Sequence, residues 1–140
     1  MKQHTDWVKS RIQSVTNFAE KTFVTAAPRD ATGKLPAAPY VVIHPADGVD
    51  TQERYTGPRA TQNPRFTLHI VGRDYDSIAA VTRNVKAKFI ENGFGVVPVI
   101  DGEKCRKVWW ESPGVPEPDT DVTPQIAYGI VELGFTSDPA

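Results

Sequence analysis

The chain has 140 residues, 39% hydrophobic and 24% charged, with a formal net charge of −1. That length is one domain, residues 1–140, able to bury roughly two thirds of its unfolded surface without cross-links or metal. A single cysteine, Cys105, excludes an internal disulfide framework. The first residues lack the apolar core of a signal peptide, and no apolar run approaches membrane-spanning length. The expectation is a soluble protein made in the cytoplasm, without a membrane partner. The charge is unevenly spread. Residues 1–107 hold all 16 Lys and Arg against 11 acids, a balance of +5, whereas residues 108–140 hold six acids and no Lys or Arg. The two ends of the chain can attract each other, within a subunit or between subunits.

In chain order, Thr5-Asp6 offers a cap for a first helix. Val8, Ile12, Val15, Ala19 and Phe23 recur at helical spacing, widened by Trp7 and Phe18, while Lys9, Gln13, Asn17 and Glu20 fall outside that stripe. This predicts a core-facing helix ending before Pro28. Residues 25–39, rich in Ala, Pro and Gly, read as a connection. Tyr40-Val41-Val42-Ile43-His44 is a β-branched apolar strand, expected to stop at Pro45. Asp47-Gly48 signals a turn. Gln52 to Thr56 predicts a second strand, which closes a hairpin through Gly57-Pro58 and Asn63-Pro64. Arg54, Arg59 and Arg65 cluster around this hairpin. A phosphate site is one reading, but no aromatic platform or glycine-rich loop accompanies the arginines, and a solvated hairpin or protein contact is preferred.

The best-defined unit comes next. Phe66, Leu68 and Ile70 alternate with Arg65, Thr67 and His69, a strand with one buried face. Asp74 can cap the helix that follows. Tyr75, Ile78, Thr82, Val85 and Phe89 form its apolar stripe, and Asn92-Gly93 is its expected stop. Gly95 to Ile100 reads as a short strand, turning at Asp101-Gly102-Glu103 into a returning strand Cys105 to Trp110. Trp109 and Trp110 point to opposite faces there, one to the core and the other to a covering loop or an interface. Glu111 to Pro124, with four prolines and four acids, is expected to be an extended loop. Gln125 to Phe135 is the last strand. Its parity changes from Ile126, Tyr128 and Ile130 to Val131, Leu133 and Phe135, predicting a bulge near Gly129 or burial on both faces. The final residues are expected to fray. The order α-β-β-β-α-β-β-β describes an α+β domain, an antiparallel-dominated sheet with two helices packed against it.

No constellation for catalysis stands out. His4, His44 and His69 lie far apart and lack metal-ligand spacing. Cys105 has basic neighbours, Lys104, Arg106 and Lys107, that could lower its pKa, but a structural thiol is the preferred reading. Gly93-Phe94-Gly95 lacks the third glycine of a dinucleotide loop, and Asp74-Tyr75-Asp76 is better explained by capping than by paired carboxylates. No catalytic, cofactor-binding or metal-ligating set is expected.

The layout nevertheless resembles a family. It runs from an amphipathic N-terminal helix through Pro39-Tyr40-Val41-Val42-Ile43 and the hairpin. It continues with Arg65-Phe66-Thr67-Leu68-His69-Ile70-Val71-Gly72-Arg73-Asp74-Tyr75 leading into the second helix, and ends in a long C-terminal strand. Over roughly residues 5–135 this is similar to the tail-terminator and head–tail joining proteins of long-tailed bacteriophages. The resemblance implies a virion structural protein of the tail or neck, assembled in the host cytoplasm. It implies a homo-hexameric ring that caps the tail tube and meets the head connector or stopper protein, with DNA only as passing cargo. It implies no enzyme activity, no cofactor and no catalytic residues. The alternatives are another neck or minor tail protein, or a small α+β enzyme or ligand-binding domain built around His69. Interface candidates are Arg54, Arg59, Arg65, one of Trp109 and Trp110, and Glu117, Asp119 and Asp121 on the acidic loop.

Overall fold

The computed structural model describes residues 2–46, 61–112, 117–119 and 126–139, with backbone alone for 117–119. The expected strand Gln52 to Thr56, with Arg54 and Arg59, and the loop residue Asp121 lie outside the described residues. In chain order the elements are α1 (Lys2–Gln13), β1 (Thr22–Val24), β2 (Tyr40–Ala46), β3 (Arg65–Gly72), α2 (Tyr75–Lys86), β4 (Ile90–Glu91) and β5 (Phe94–Gly95). There follow β6 (Glu103–Cys105), β7 (Trp109–Glu111), β8 (Glu117–Asp119), β9 (Ile126–Gly134) and β10 (Ser137–Pro139). The fold is α+β.

The principal sheet runs β1-β2-β3-β9-β7, with β8 also paired to β9. All its pairings are antiparallel except β1 with β2. β3 is central because its alternation supplies one apolar face: Phe66, Leu68 and Ile70 are at most 1% exposed. Val41, Ile43, Val131 and Leu133 extend that face on the neighbouring strands, and Val8, Ile12, Ile78, Val81 and Val85 from the two helices close over it. Each large side chain so buried contributes about 1.5–3 kcal/mol.

Several expected boundaries move. α1 begins before Thr5-Asp6 and stops at Gln13, where the chain turns through Asn17 in the left-handed region (φ 71°). Val15 and Phe18 remain buried, but Ala19 is exposed, and Phe23 belongs to β1 and packs on Tyr40 across the second face of the sheet. The β-branched pair Thr22 and Val24 gains ladder bonds beside β2 that a longer helix would forgo. β2 does not stop at Pro45. Val41 N–H and the Ile43 carbonyl bond toward β1, so the odd-numbered backbone groups of β2 face that side. β1 pairs only Val41 to Ile43, so the missing N–H of Pro45 falls past that ladder and costs it no bond.

Asp74 caps α2 as expected, its carboxylate accepting from the Ser77 N–H at 2.8 Å. Asp74→Ala should therefore destabilise the fold by about 1 kcal/mol in denaturant unfolding, with Asp74→Asn close to wild type. The stripe is Ile78, Val81 and Val85. Tyr75 is 64% exposed. α2 ends at Lys86 rather than at Asn92-Gly93. Those two residues do take positive φ (52° and 81°), but as the tip of the β4–β5 hairpin.

Residues 96–100 make no ladder, and Val97 and Val99 are exposed while Pro98 and Ile100 are buried. Val108 donates to Val96 at 3.0 Å, and Pro98 has no N–H to continue the pairing. The Asp101-Gly102 turn is present, Glu103 N–H reaching Ile100 O at 3.1 Å with Gly102 at φ 77°. The strand after it pairs with β10 instead, so the C-terminal residues are paired up to Pro139 and do not fray. Nor is the acidic segment loop throughout: Glu117–Asp119 is an edge strand on β9. β9 carries no bulge, because its register against β3 is unbroken from Arg65–Gly134 to Gly72–Ala127. Its parity change reflects cover on both faces. Val131 and Leu133 enter the core, and Ile126 and Tyr128 pack on a smaller cluster of Tyr40, Val42 and Val71.

Candidate functional site

β9 and β10 form one long arm. The bridge Gln62–Ser137 keeps step with the β3–β9 register, so β10 continues the line of β9 beside residues 61–64. β8 lies at the Ile126 end of this arm, β7 at the Gly134 end, and β6 beyond it against β10. From the Pro118–Ala127 pair to the Lys104–Asp138 pair the arm spans eleven positions, up to roughly 35 Å at about 3.3 Å per residue.

The far end mixes charged and apolar side chains. Lys104, Arg106 and Lys107 are exposed, and Lys107 Nζ sits 4.9 Å over the Phe94 ring. Phe94, Val97 and Val99 are 65%, 48% and 84% exposed. Arg65 is at the same end, 3.4 Å from Glu132 and 5.5 Å over the Trp109 ring. Trp109 lies across Gly134, where any side chain would strike its indole. The two tryptophans divide as expected: Trp110 packs inward on Phe89, and Trp109 remains on the surface. Trp110 is thus the one of the pair packed, partly buried, on the core. The opposite end carries Glu117 and Asp119 at register positions against Tyr128 and Ile126.

A polar network with no trace in residue spacing links α1 to β6 and β10. His4, 1% exposed, bonds Glu103 through Nε2 at 2.5 Å, and Ser137 donates its hydroxyl to the same carboxylate oxygen. His4 Nδ1 is buried without a hydrogen-bond partner among the described residues. Serine and imidazole both point at the carboxylate and not at each other, so no nucleophile–base pair exists here. Burial raises the Glu103 pKa, but the hydrogen bonds from Ser137 and His4, with the His4 and N-terminal charges, bring it net below the ordinary value. Cys105 lies 3.5 Å from the Ser137 hydroxyl, and burial together with the Glu103 and Asp138 charges pushes its thiol up. The basic neighbours of Cys105 thus do not make it a thiolate.

On the second sheet face, His44 and His69 meet with ring centres 4.4 Å apart, although 25 positions separate them, and Tyr128 stacks on His69 at 6.1 Å. They line an open cleft of about 730 Å³ with Tyr40, Val42, Arg29 and Tyr128. No carboxylate is among its described lining residues. Burial, then the His44 charge, lowers the His69 pKa. The unfolded chain thus binds this proton more readily, and the associated stability is present above about pH 6.5 and is lost as pH falls through and below it. In urea titrations across that range, His69→Gln should flatten the slope of stability against pH. An unchanged slope would remove His69 as its source. Glu103 acts lower: its contribution is present above the ordinary value of 4.5 and is lost as pH falls below it.

No family model and no curated protein matches the chain. Among solved structures the fold matches a chain described as "Virion of native gene transfer agent (GTA) particle", with a TM-score of 0.63 over 99% of this chain and 95% of that one, at 12% identity. At that identity the likeness is one of fold: the two chains share their architecture end to end.

Proposed function

We propose that the chain, as one domain over residues 1–140, is a virion structural protein that assembles as a homo-hexameric ring. In this reading it is a tail terminator that caps the tail tube and meets the head connector, with DNA passing through the ring. The observation that carries the reading is the end-to-end likeness of fold to a chain of a virion particle. The open surface of Trp109, with Arg65 stacked on it, and the acidic positions Glu117, Asp119 and Asp121 are the interface candidates that agree with it. Arg54 and Arg59 stay candidates on sequence grounds alone. Another neck or minor tail protein would share the same fold argument, and binding to tail tubes distinguishes the terminator from it.

Negative-stain electron microscopy of the purified protein, alone and with assembled tail tubes, tests the reading. The expected result is six-fold rings with an open lumen, free or on tube ends. Absence of rings even on tubes would sink it. His44→Gln, His69→Gln and Cys105→Ala should change stability at most and leave ring formation intact in variants that fold. Loss of assembly in a folded His69 variant would move attention to the cleft as a working site.

A further inference from the structure

We propose that Asn92 is a site of spontaneous deamidation: the backbone nitrogen of Gly93 attacks the Asn92 side-chain amide, and the hairpin tip is converted to aspartate and isoaspartate.

The reaction needs no reagent but water. The Gly93 nitrogen forms a bond to Asn92 Cγ, and the bond from Cγ to the side-chain nitrogen breaks. Ammonia leaves, carrying the proton from the Gly93 N–H. The product is a cyclic imide, a succinimide. Water then opens the ring at either carbonyl. Breaking the new bond between Cγ and the Gly93 nitrogen restores the ordinary backbone with an aspartate side chain. Breaking the original peptide bond leaves the main chain running through Cβ and Cγ, which is isoaspartate. A water is consumed and an ammonia released, and nothing is oxidised or reduced.

The nitrogen that attacks decides which asparagine reacts. The chain has four, Asn17, Asn63, Asn84 and Asn92. After Asn17, the Phe18 N–H is held by the Val15 carbonyl at 3.0 Å, and the Phe18 ring is buried. After Asn63 stands Pro64, which has no N–H to lose. After Asn84 stands Val85, buried and β-branched inside α2, where the N–H belongs to the helix ladder. After Asn92 stands Gly93, whose N–H donates to no backbone carbonyl among the described residues. Gly93 has no side chain to crowd the ring, and even an added Cβ there would meet nothing within 4 Å.

The surrounding backbone can also rotate into the geometry of attack. Asn92 and Gly93 are both exposed, at φ 52° and 81°. The ladder they close has two pairs, Ile90–Gly95 and Glu91–Phe94, and forms a sheet of its own among the described residues. So short a hairpin is marginal and opens locally at far less cost than global unfolding. Asn84, by contrast, cannot turn its backbone without breaking α2. Conversion adds a carboxylate beside Glu91, whose own neighbour is Arg11 at 3.5 Å. Isoaspartate also lengthens the main chain by a carbon at the tip of that short ladder.

The test incubates the folded full-length protein in warm, mildly alkaline buffer and follows the tryptic peptide of residues 89–104, in which Asn92 is the only side-chain amide. The expected result is two product peaks, aspartate and isoaspartate, each heavier by the exchange of an amide for an acid. They should form at least about tenfold faster than product at Asn17, Asn63 or Asn84 in the same sample. Asn92→Gln should suppress both peaks, because its longer side chain must close a larger ring. If that variant does not fold, the isoaspartate peak of the wild type carries the test alone. An Asn92 that stays an amide, or converts no faster than the other three, would overturn the proposal. So would conversion in urea but not in the folded protein, since the turn would then shield the bond. Aspartate without isoaspartate would mean direct hydrolysis by water and would overturn the attack by Gly93.

Discussion

Phe135→Ala should destabilise the protein by about 3–5 kcal/mol in urea unfolding, the cost of removing a buried aromatic and leaving a cavity. Phe135 is 2% exposed at the junction between β9 and β10. Its ring lies 5.8 Å from His4, 5.7 Å from Trp7 and 6.2 Å from Phe66, so it joins α1, β3 and the long arm at one point. The His4–Glu103–Ser137 network is built on the same elements, and a cavity there would admit water to His4. Phe135→Leu keeps most of the volume and should cost less than the alanine change. A loss for Phe135→Ala below about 1 kcal/mol would mean that the junction is not packed as described.

Gly95→Ala should be the second severe change, even though alanine is ordinarily milder than glycine in extended backbone. A Cβ at Gly95 would overlap the carbonyl of Val108, and backbone cannot swing aside as a flexible side chain does. The strip of residues 94–100 would have to part from residues 107–109. We expect a loss of roughly 1–3 kcal/mol, the usual range for overpacking a close contact. Hydrogen exchange would report it as faster exchange at Val108, whose N–H bonds Val96 at 3.0 Å, with the core strand β3 still protected. Unchanged protection at Val108 would refute the close approach.

These two positions show where residue patterns were informative. Phe66, Leu68 and Ile70 were legible because alternation reports burial directly, and Asp74 because a cap is a contact three residues long. The division of Trp109 and Trp110 between surface and core followed from strand parity alone. Gly95 carried no such signal, since what it makes room for lies thirteen positions away. The His44–His69 pair and the His4–Glu103–Ser137 network were likewise out of reach, the latter joining residues 99 and 34 positions apart.

The sequence by itself determined the α+β class, the central strand β3 with its capped helix α2, the apolar stripe through Val8 and Ile12, and the separation of charge along the chain. All of these depend on neighbours within one or two turns or on simple alternation. Only the tertiary structure decided where helices stop and which strand each short segment joins. β6 leaves the expected hairpin for β10, and Phe23 leaves the first helix for β1, because the free energy of a two- or three-residue segment lies in the partner it finds. Local preference there amounts to tenths of a kcal/mol, while a ladder and a buried face contribute several, so the long-range partner wins.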